Sequence, residues 1–160
     1  VVDNQKLPRL NDLLRFDRKP VVAGEKTGVI SLLGSMLGNG TTSIPKDDFN
    51  EEVDFLGAGI NVGFGSGFAF TLTKNNERVL ELFSDAVINP LLTEEEFEKE
   101  KDKLIEGLKS QKKDIDAISG RVGDALSYGK THAYGEFISE QTIDNIKFED
   151  ILEYLSLIHI

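Results

Sequence analysis

The stretch Gly28-Val-Ile-Ser-Leu-Leu-Gly-Ser-Met-Leu-Gly-Asn-Gly-Thr41 decides the fold. Val29, Leu32, Leu33, Met36 and Leu37 recur at the spacing of an apolar helical stripe, which predicts a helix resting that stripe on a core. Ser31, Gly34 and Ser35 fall at i, i+3 and i+4, so they share the opposite face. Two histidines at i and i+4 of such a face could grip one metal ion, with a neighbouring carboxylate as general base. A serine hydroxyl binds zinc poorly and glycine has no side chain, so this helix is assigned no metal. A glycine inside a helix costs roughly 1 kcal/mol relative to alanine, which leads us to expect something packed close against Gly34. The bland reading of this face is tight helix packing; the sharper one is substrate contact through the serine hydroxyls. Gly38-Asn39-Gly40 supplies the left-handed residues that end a helix. A phosphate loop is excluded, because its lysine and spacing are missing.

Upstream, residues 1–16 contain β-prone residues around Lys6-Leu7-Pro8-Arg9 and are read as an edge strand or two short strands, since Pro8 cannot donate to a ladder. A loop with Arg18-Lys19-Pro20 and Gly24-Glu25-Lys26 leads to the first helix. Downstream, Ser43-Ile44-Pro45 with Asp47 and Asp48 starts a second helix, carrying Phe49, Val53 and Leu56 on its buried stripe and stopped by Gly57. From Gly59 to Thr73 the period becomes two, which predicts a hairpin around Gly65-Ser66-Gly67. Ile60, Val62, Phe64, Phe68, Phe70 and Leu72 are expected on one face, with Asn61, Gly63, Ala69, Thr71 and Thr73 on the other. A dinucleotide site is disfavoured here, because Phe68 stands where a third glycine and a helix start would be needed. A third helix spans Glu77 to Ile88, with Val79, Leu80, Leu82, Phe83, Ala86 and Val87 apolar, and ends at Asn89-Pro90. Thr93-Glu-Glu-Glu96 reads as a capping box for a long charged helix carrying Phe97, Leu104, Ile105 and Leu108. Another helix follows from Asp114 to Tyr128 through Ile118, Val122, Ala125 and Leu126, closed by Gly129, and a last one begins near Phe148.

The chain has 160 residues, 39% hydrophobic and 29% charged, enough for one core burying roughly 70% of the unfolded surface. A net charge of −10 with no basic patch argues against a nucleic-acid partner. Runs such as Glu94-Glu95-Glu96 read as solvated helix faces, with an acidic groove for basic peptides as the alternative. With no cysteine there is no disulfide framework, thiolate site or cysteine nucleophile. No apolar run approaches the roughly 18 residues of a membrane span.

The last six residues, Leu155-Ser-Leu-Ile-His-Ile160, read as the translation of a transposase adapter used in preparing sequencing libraries. On that reading residues 1–154 are one partial domain, the natural chain is expected to continue past Tyr154 and to begin before Val1, and His159 carries no hypothesis. His132 is then the one histidine left to consider.

Several landmarks together resemble the pitrilysin/insulinase family of zinc metallopeptidases, which includes the mitochondrial processing peptidases. The family's helix carries His-x-x-Glu-His and then Gly-Thr; here the frame reads Ser31-Leu-Leu-Gly34-Ser35 and Gly40-Thr41. Phe55-Leu56-Gly57-Ala58 resembles its turn before the hairpin, and Ser84-Asp85-Ala86-Val87-Ile88-Asn89-Pro90 its helix ending in Asn-Pro. Phe97-Glu98-Lys99-Glu100-Lys101 resembles its Glu-Lys-Glu-Arg segment, and His132-Ala133-Tyr134-Gly135 its His-Pro-Tyr-Gly, with alanine for proline. The resemblance implies an α+β fold, an antiparallel or mixed sheet covered by helices. It also places the third zinc ligand of the family at Gly107, after Glu106, so that all ligands and the general base are replaced at Ser31, Gly34, Ser35 and Gly107. Sliding the register to Glu106 would rescue one ligand and leave no histidine to join it.

Family members pair similar domains, in one chain or as heterodimers, around an unfolded peptide. The resemblance therefore implies a non-catalytic half with no cofactor of its own, the zinc residing in an active His-x-x-Glu-His partner domain. A bacterial periplasm or cell envelope is compatible with it. Two other readings stand beside this one: a structural or interaction module of the same fold with no role in proteolysis, and an independent hydrolase built on His132 with Tyr134, or on Ser31 and Ser35 with a distant acid. No nucleophile and base are placed by spacing for the last. His132 is read as structural, hydrogen-bonded before the Gly135 turn.

Overall fold

A computed structural model describes residues 8–16 and 20–157. In chain order the elements are β1 (Arg9–Arg15), α1 (Val29–Met36), α2 (Lys46–Phe55), β2 (Gly59–Val62), β3 (Ser66–Leu72), α3 (Asn76–Ile88), α4 (Glu94–Gln111), α5 (Ile115–Tyr128), α6 (Glu140–Asp144) and α7 (Phe148–Ser156). The α+β class expected from the sequence is the class observed. The chain forms two compact units, described residues 8–16 and 36–92 in one, 20–35 and 93–157 in the other.

Among the described residues the first unit holds a three-stranded antiparallel sheet in the order β1-β3-β2, with α3 packed on β3 and β2. The strand expected near the N-terminus forms in part as β1, at the edge of the sheet among the described residues; residues 1–7, where a second short strand was the alternative, and the Arg18-Lys19 part of the following loop lie outside them. Pro8 contributes its carbonyl, which accepts from the Thr73 amide at 2.9 Å. α2 has Asp47 and Asp48 in its first turn, buries Phe49 and Val53, and is followed by Gly57 at φ 60°.

The hairpin forms, but its faces differ from the expectation. β2 and β3 pair Ile60 with Ala69, Val62 with Gly67, Gly59 with Phe70 and Asn61 with Phe68. Residues directly paired across an antiparallel ladder share a face, so even-numbered positions of β2 lie with odd-numbered positions of β3. Val62, Gly67, Ala69 and Thr71 are buried, whereas Phe68 and Phe70 are 41% and 42% exposed. The turn resets the parity, and the cause lies on α3. A Cβ on Gly67 would come within 2.7 Å of the Phe83 ring, so only small residues fit where α3 approaches. The same parity runs into β1, where Leu10, Asp12 and Leu14 are partly covered and Arg9, Asn11, Leu13 and Arg15 are exposed.

The second unit is helical among its described residues. Val29, Leu32, Leu33, Phe97, Leu108, Ile143, Ile146 and Ile151 are its buried apolar side chains among the described residues. Thr93 caps α4 by accepting from the Glu96 amide at 3.2 Å, and Asp114 caps α5 by accepting from the Asp116 and Ala117 amides. α6 is an element that the sequence reading passed over; Ser139 and Thr142 form its capping box. Lys101 donates to the Ile146 carbonyl at 2.8 Å, tying the end of α6 to α4. α7 begins at Phe148 as expected and runs through Leu155 and Ser156, while residues 158–160, including His159, lie outside the described residues. α5 forms where expected, yet none of its residues is buried, and Ile118, Val122 and Leu126 are exposed.

Candidate functional site

α1 enters from a 3-10 turn at Gly24–Lys26, and Gly28 makes the entry possible. Its φ is 114°, and a Cβ there would meet Ile138 at 3.2 Å, with Ile143 and Ile146 close behind. The apolar stripe is buried as expected: Val29, Leu32 and Leu33 are wholly covered, with Met36 and Leu37 nearly so. On the opposite face Ser31 and Ser35 are exposed and Gly34 is half-buried. Ser35 donates its hydroxyl hydrogen bond to the Leu32 carbonyl at 2.8 Å, a bond within its own helix.

Ser31 borders a cleft of about 190 Å³ together with Thr27, Ala133, Glu136 and Ile138. Gly107, on α4, is half-buried and lines a neighbouring cleft of about 370 Å³ with Leu104, Leu108, Arg121 and Phe137. Glu136 and Ile138 form a wall common to both clefts. The fold therefore brings Ser31 and Gly107 to two clefts that share a wall, while Glu106 is exposed and lines neither. A Cβ on Gly107 would meet nothing within 4 Å, so the position is vacant by composition and not because a neighbour crowds it.

Glu136 is the residue of these clefts that sequence reasoning missed, although it directly follows the His132-Ala-Tyr-Gly135 motif that was singled out. It is already engaged: its carboxylate accepts from the backbone amides of Ala23 and Gly24 at 2.9 and 2.6 Å, pinning the entry to α1. His132 serves the same end. Its ring stacks on Tyr128 at 5.5 Å, its Nδ1 accepts from the Tyr134 amide at 3.2 Å, and its carbonyl accepts from the Gly135 and Glu136 amides. A Cβ on Gly135 would overlap the Gly129 carbonyl oxygen, so the turn that delivers Glu136 requires glycine. A second tether was not legible either. Lys26 pairs with Asp150 at 2.6 Å. Burial opposes ionisation of Asp150, but hydrogen bonds from Lys26 and the Lys147 amide outweigh it and hold the carboxyl below its usual range.

The four positions that would carry a zinc site hold two serines and two glycines, a donor set that does not fit zinc. No chemical step is assigned to them. Among the described residues no three His, Cys, Asp or Glu side chains are grouped as metal ligands would be, and no helix is long and apolar enough to cross a membrane.

Two further motifs, Gly40-Thr41 and Asn89-Pro90, meet in the first unit. Thr41 and Ser43, just past Gly40 (φ 114°), direct their hydroxyls to Asp85 of α3; Ser43 is 2.8 Å from it, and Asn89 donates to the same carboxylate at 2.8 Å. The hydrogen bonds from Thr41, Asn89 and Ser43 hold the Asp85 carboxyl below its usual range. Thr41 and Pro90 also form a β-bridge, and the Thr42 amide donates to the Asn89 carbonyl at 2.9 Å. The Gly-Thr and Asn-Pro motifs are thus two halves of one structural clasp.

The α+β fold, the helix frame in one unit and the clasp in the other are the features to set beside known proteins. The sequence model of the family described as Insulinase (Peptidase family M16) matches residues 23–126. That is more than half of the chain, and the chain belongs to this family. Among solved structures, it is similar to a peptidase M16 inactive domain from Pseudomonas fluorescens, with a TM-score of 0.72 and 21% identity, covering 93% of this chain and 38% of that one. A protease from Helicobacter pylori gives a TM-score of 0.71 at 21% identity, over 93% of this chain and 38% of that chain. The chain thus spans well under half the length of these structures. No curated protein matches it significantly.

Proposed function

We propose that this chain is a non-catalytic half of a zinc metalloendopeptidase, completing the chamber that holds an unfolded peptide and supporting a partner domain that carries His-x-x-Glu-His and the zinc. The observation that carries the reading is the composition of an intact frame. The helix, its buried stripe and its entry glycine are kept, while Ser31, Gly34, Ser35 and Gly107 stand where a metal site would need imidazole and carboxylate. It is supported by similarity to a structure described as an inactive domain of the same peptidase family, much longer than this chain. The partner is a domain of the same polypeptide or the other member of a heterodimer. Residues 1–154 act as one part of that half, with 155–160 as an adapter-derived tail.

The test is reconstitution with the His-x-x-Glu-His polypeptide encoded in the same reading frame or beside it. Cleavage of an unfolded peptide should require both polypeptides. Replacing Ser31 and Ser35 together by alanine should leave that cleavage nearly unchanged; a loss on the order of a hundredfold, the size of a catalytic group's contribution, would show that this face takes part in chemistry.

A further inference from the structure

The turn that leads into α1 is held by side chains from three separate segments of its own unit. Glu136 accepts from the Ala23 and Gly24 amides at 2.9 and 2.6 Å. Asn145, at the end of α6, donates its side-chain amide to the Glu25 carbonyl at 3.1 Å. Asp150 of α7 takes the Lys26 ammonium at 2.6 Å. Four consecutive residues are thus gripped by partners 112 to 124 positions away, and every group that makes these grips lies among the described residues of one unit. The turn is also closed on itself. The Lys26 amide donates to the Ala23 carbonyl and the Thr27 amide to the Gly24 carbonyl, both at 3.1 Å, and the Thr27 hydroxyl reaches the same Gly24 oxygen at 2.6 Å. These internal bonds make the turn one piece, so the loss of one grip is felt at the others.

We propose that residues 23–27 form a latch that opens and closes as one cooperative unit and gates the cleft beside Ser31. The grips are hydrogen bonds and an ion pair, and no residue of Gly24–Lys26 is buried, whereas Thr27 and Gly28 on the α1 side are. A segment secured in this way opens at a lower free energy than a segment locked by apolar burial. Gly28, at φ 114°, is the joint between latch and helix. Val21 and Ala23 line the cleft with Thr27, Ala133, Glu136 and Ile138, so an open latch removes part of one wall and frees the Glu136 carboxylate of both amide donors. Asp150 biases the latch shut, because it is buried and a buried carboxylate parted from its cation is costly.

The test is amide hydrogen exchange on the 160-residue chain, followed against low concentrations of urea. Amides of Ala23, Gly24, Lys26 and Thr27 should exchange through a shared opening that urea barely affects, since little surface is exposed, while α4 amides should follow the steep urea dependence of global unfolding. Glu136→Gln and Asp150→Asn should each speed exchange at all four latch amides, by about tenfold, the ratio one charge-assisted hydrogen bond supplies. The chain has no cysteine, so Ala133→Cys gives a single thiol in the cleft, and its alkylation by iodoacetamide should rise in step when Glu136→Gln is added. Latch amides that exchange only with the urea dependence of α4 would overturn the proposal. So would Glu136→Gln acting on Ala23 and Gly24 alone with Asp150→Asn acting on Lys26 and Thr27 alone, which would make the grips independent, or a thiol whose alkylation ignores the latch.

Discussion

Glycines of this chain differ in what stands beside them, and so in what a side chain there would cost. A Cβ on Gly135 would overlap the Gly129 carbonyl oxygen, and one on Gly67 would press on Phe83. Replacing either by alanine should lower unfolding stability by about 1–3 kcal/mol, the usual cost of overpacking, as read from urea midpoints. Gly107→Ala should act in the opposite direction. The position sits inside α4 with nothing within 4 Å of an added Cβ, so the midpoint should rise by up to about 1 kcal/mol of helix propensity. Gly34, read as a sign of tight packing, is half-buried between two exposed serines. Propensity registers that a glycine is expensive; it does not register what stands beside it. Asp85 gives a prediction in pH. Its carboxyl is held below its unfolded value by hydrogen bonds from Thr41, Asn89 and Ser43, so its contribution is complete above about pH 4 and disappears as pH falls through the lowered folded value. Thermal melts should show Asp85→Asn less stable than the natural chain at neutral pH, with the gap narrowing under acid. A gap that stays constant or widens below pH 4 would contradict the clasp.

At the scale of elements, helix positions were readable because a 3.6-residue period and capping residues are local signals. α1 to α5 and α7 fall where the stripes and caps put them, and α6 escaped because five residues are too few to show a period. Faces were less legible than elements. The parity of the hairpin depends on how its turn joins β2 to β3, and the run of alternating apolar residues across the turn concealed the reset that exposes Phe68 and Phe70. α5 shows the same limit, since its periodic Ile118, Val122 and Leu126 are exposed. Ile118→Ser and Leu126→Ser should therefore shift stability by no more than about 0.5 kcal/mol, the range for surface positions. Denaturation midpoints check this, and a loss of 2 kcal/mol or more, as burial would give, would mean that the isolated chain covers this face.

For the molecule as a whole, family membership was legible because several motifs of the family follow one another in order along the chain. Gly40-Thr41 and Asn89-Pro90 lock against each other, and His132 and Gly135 shape the turn that delivers Glu136 to the start of α1. Long-range tethers such as Lys26 with Asp150 left no local trace, because the partners are 124 residues apart in sequence. The frame is maintained by packing and hydrogen bonds, and on the proposed reading it needs no metal at Ser31, Gly34, Ser35 and Gly107. The most direct test is to purify the chain, equilibrate it with zinc, and measure bound metal together with cleavage of an unfolded peptide, alone and after adding the His-x-x-Glu-His partner. The account predicts no stoichiometric zinc and no cleavage by the chain alone, with both appearing in the pair. Stoichiometric zinc on the isolated chain, accompanied by peptide cleavage, would contradict it.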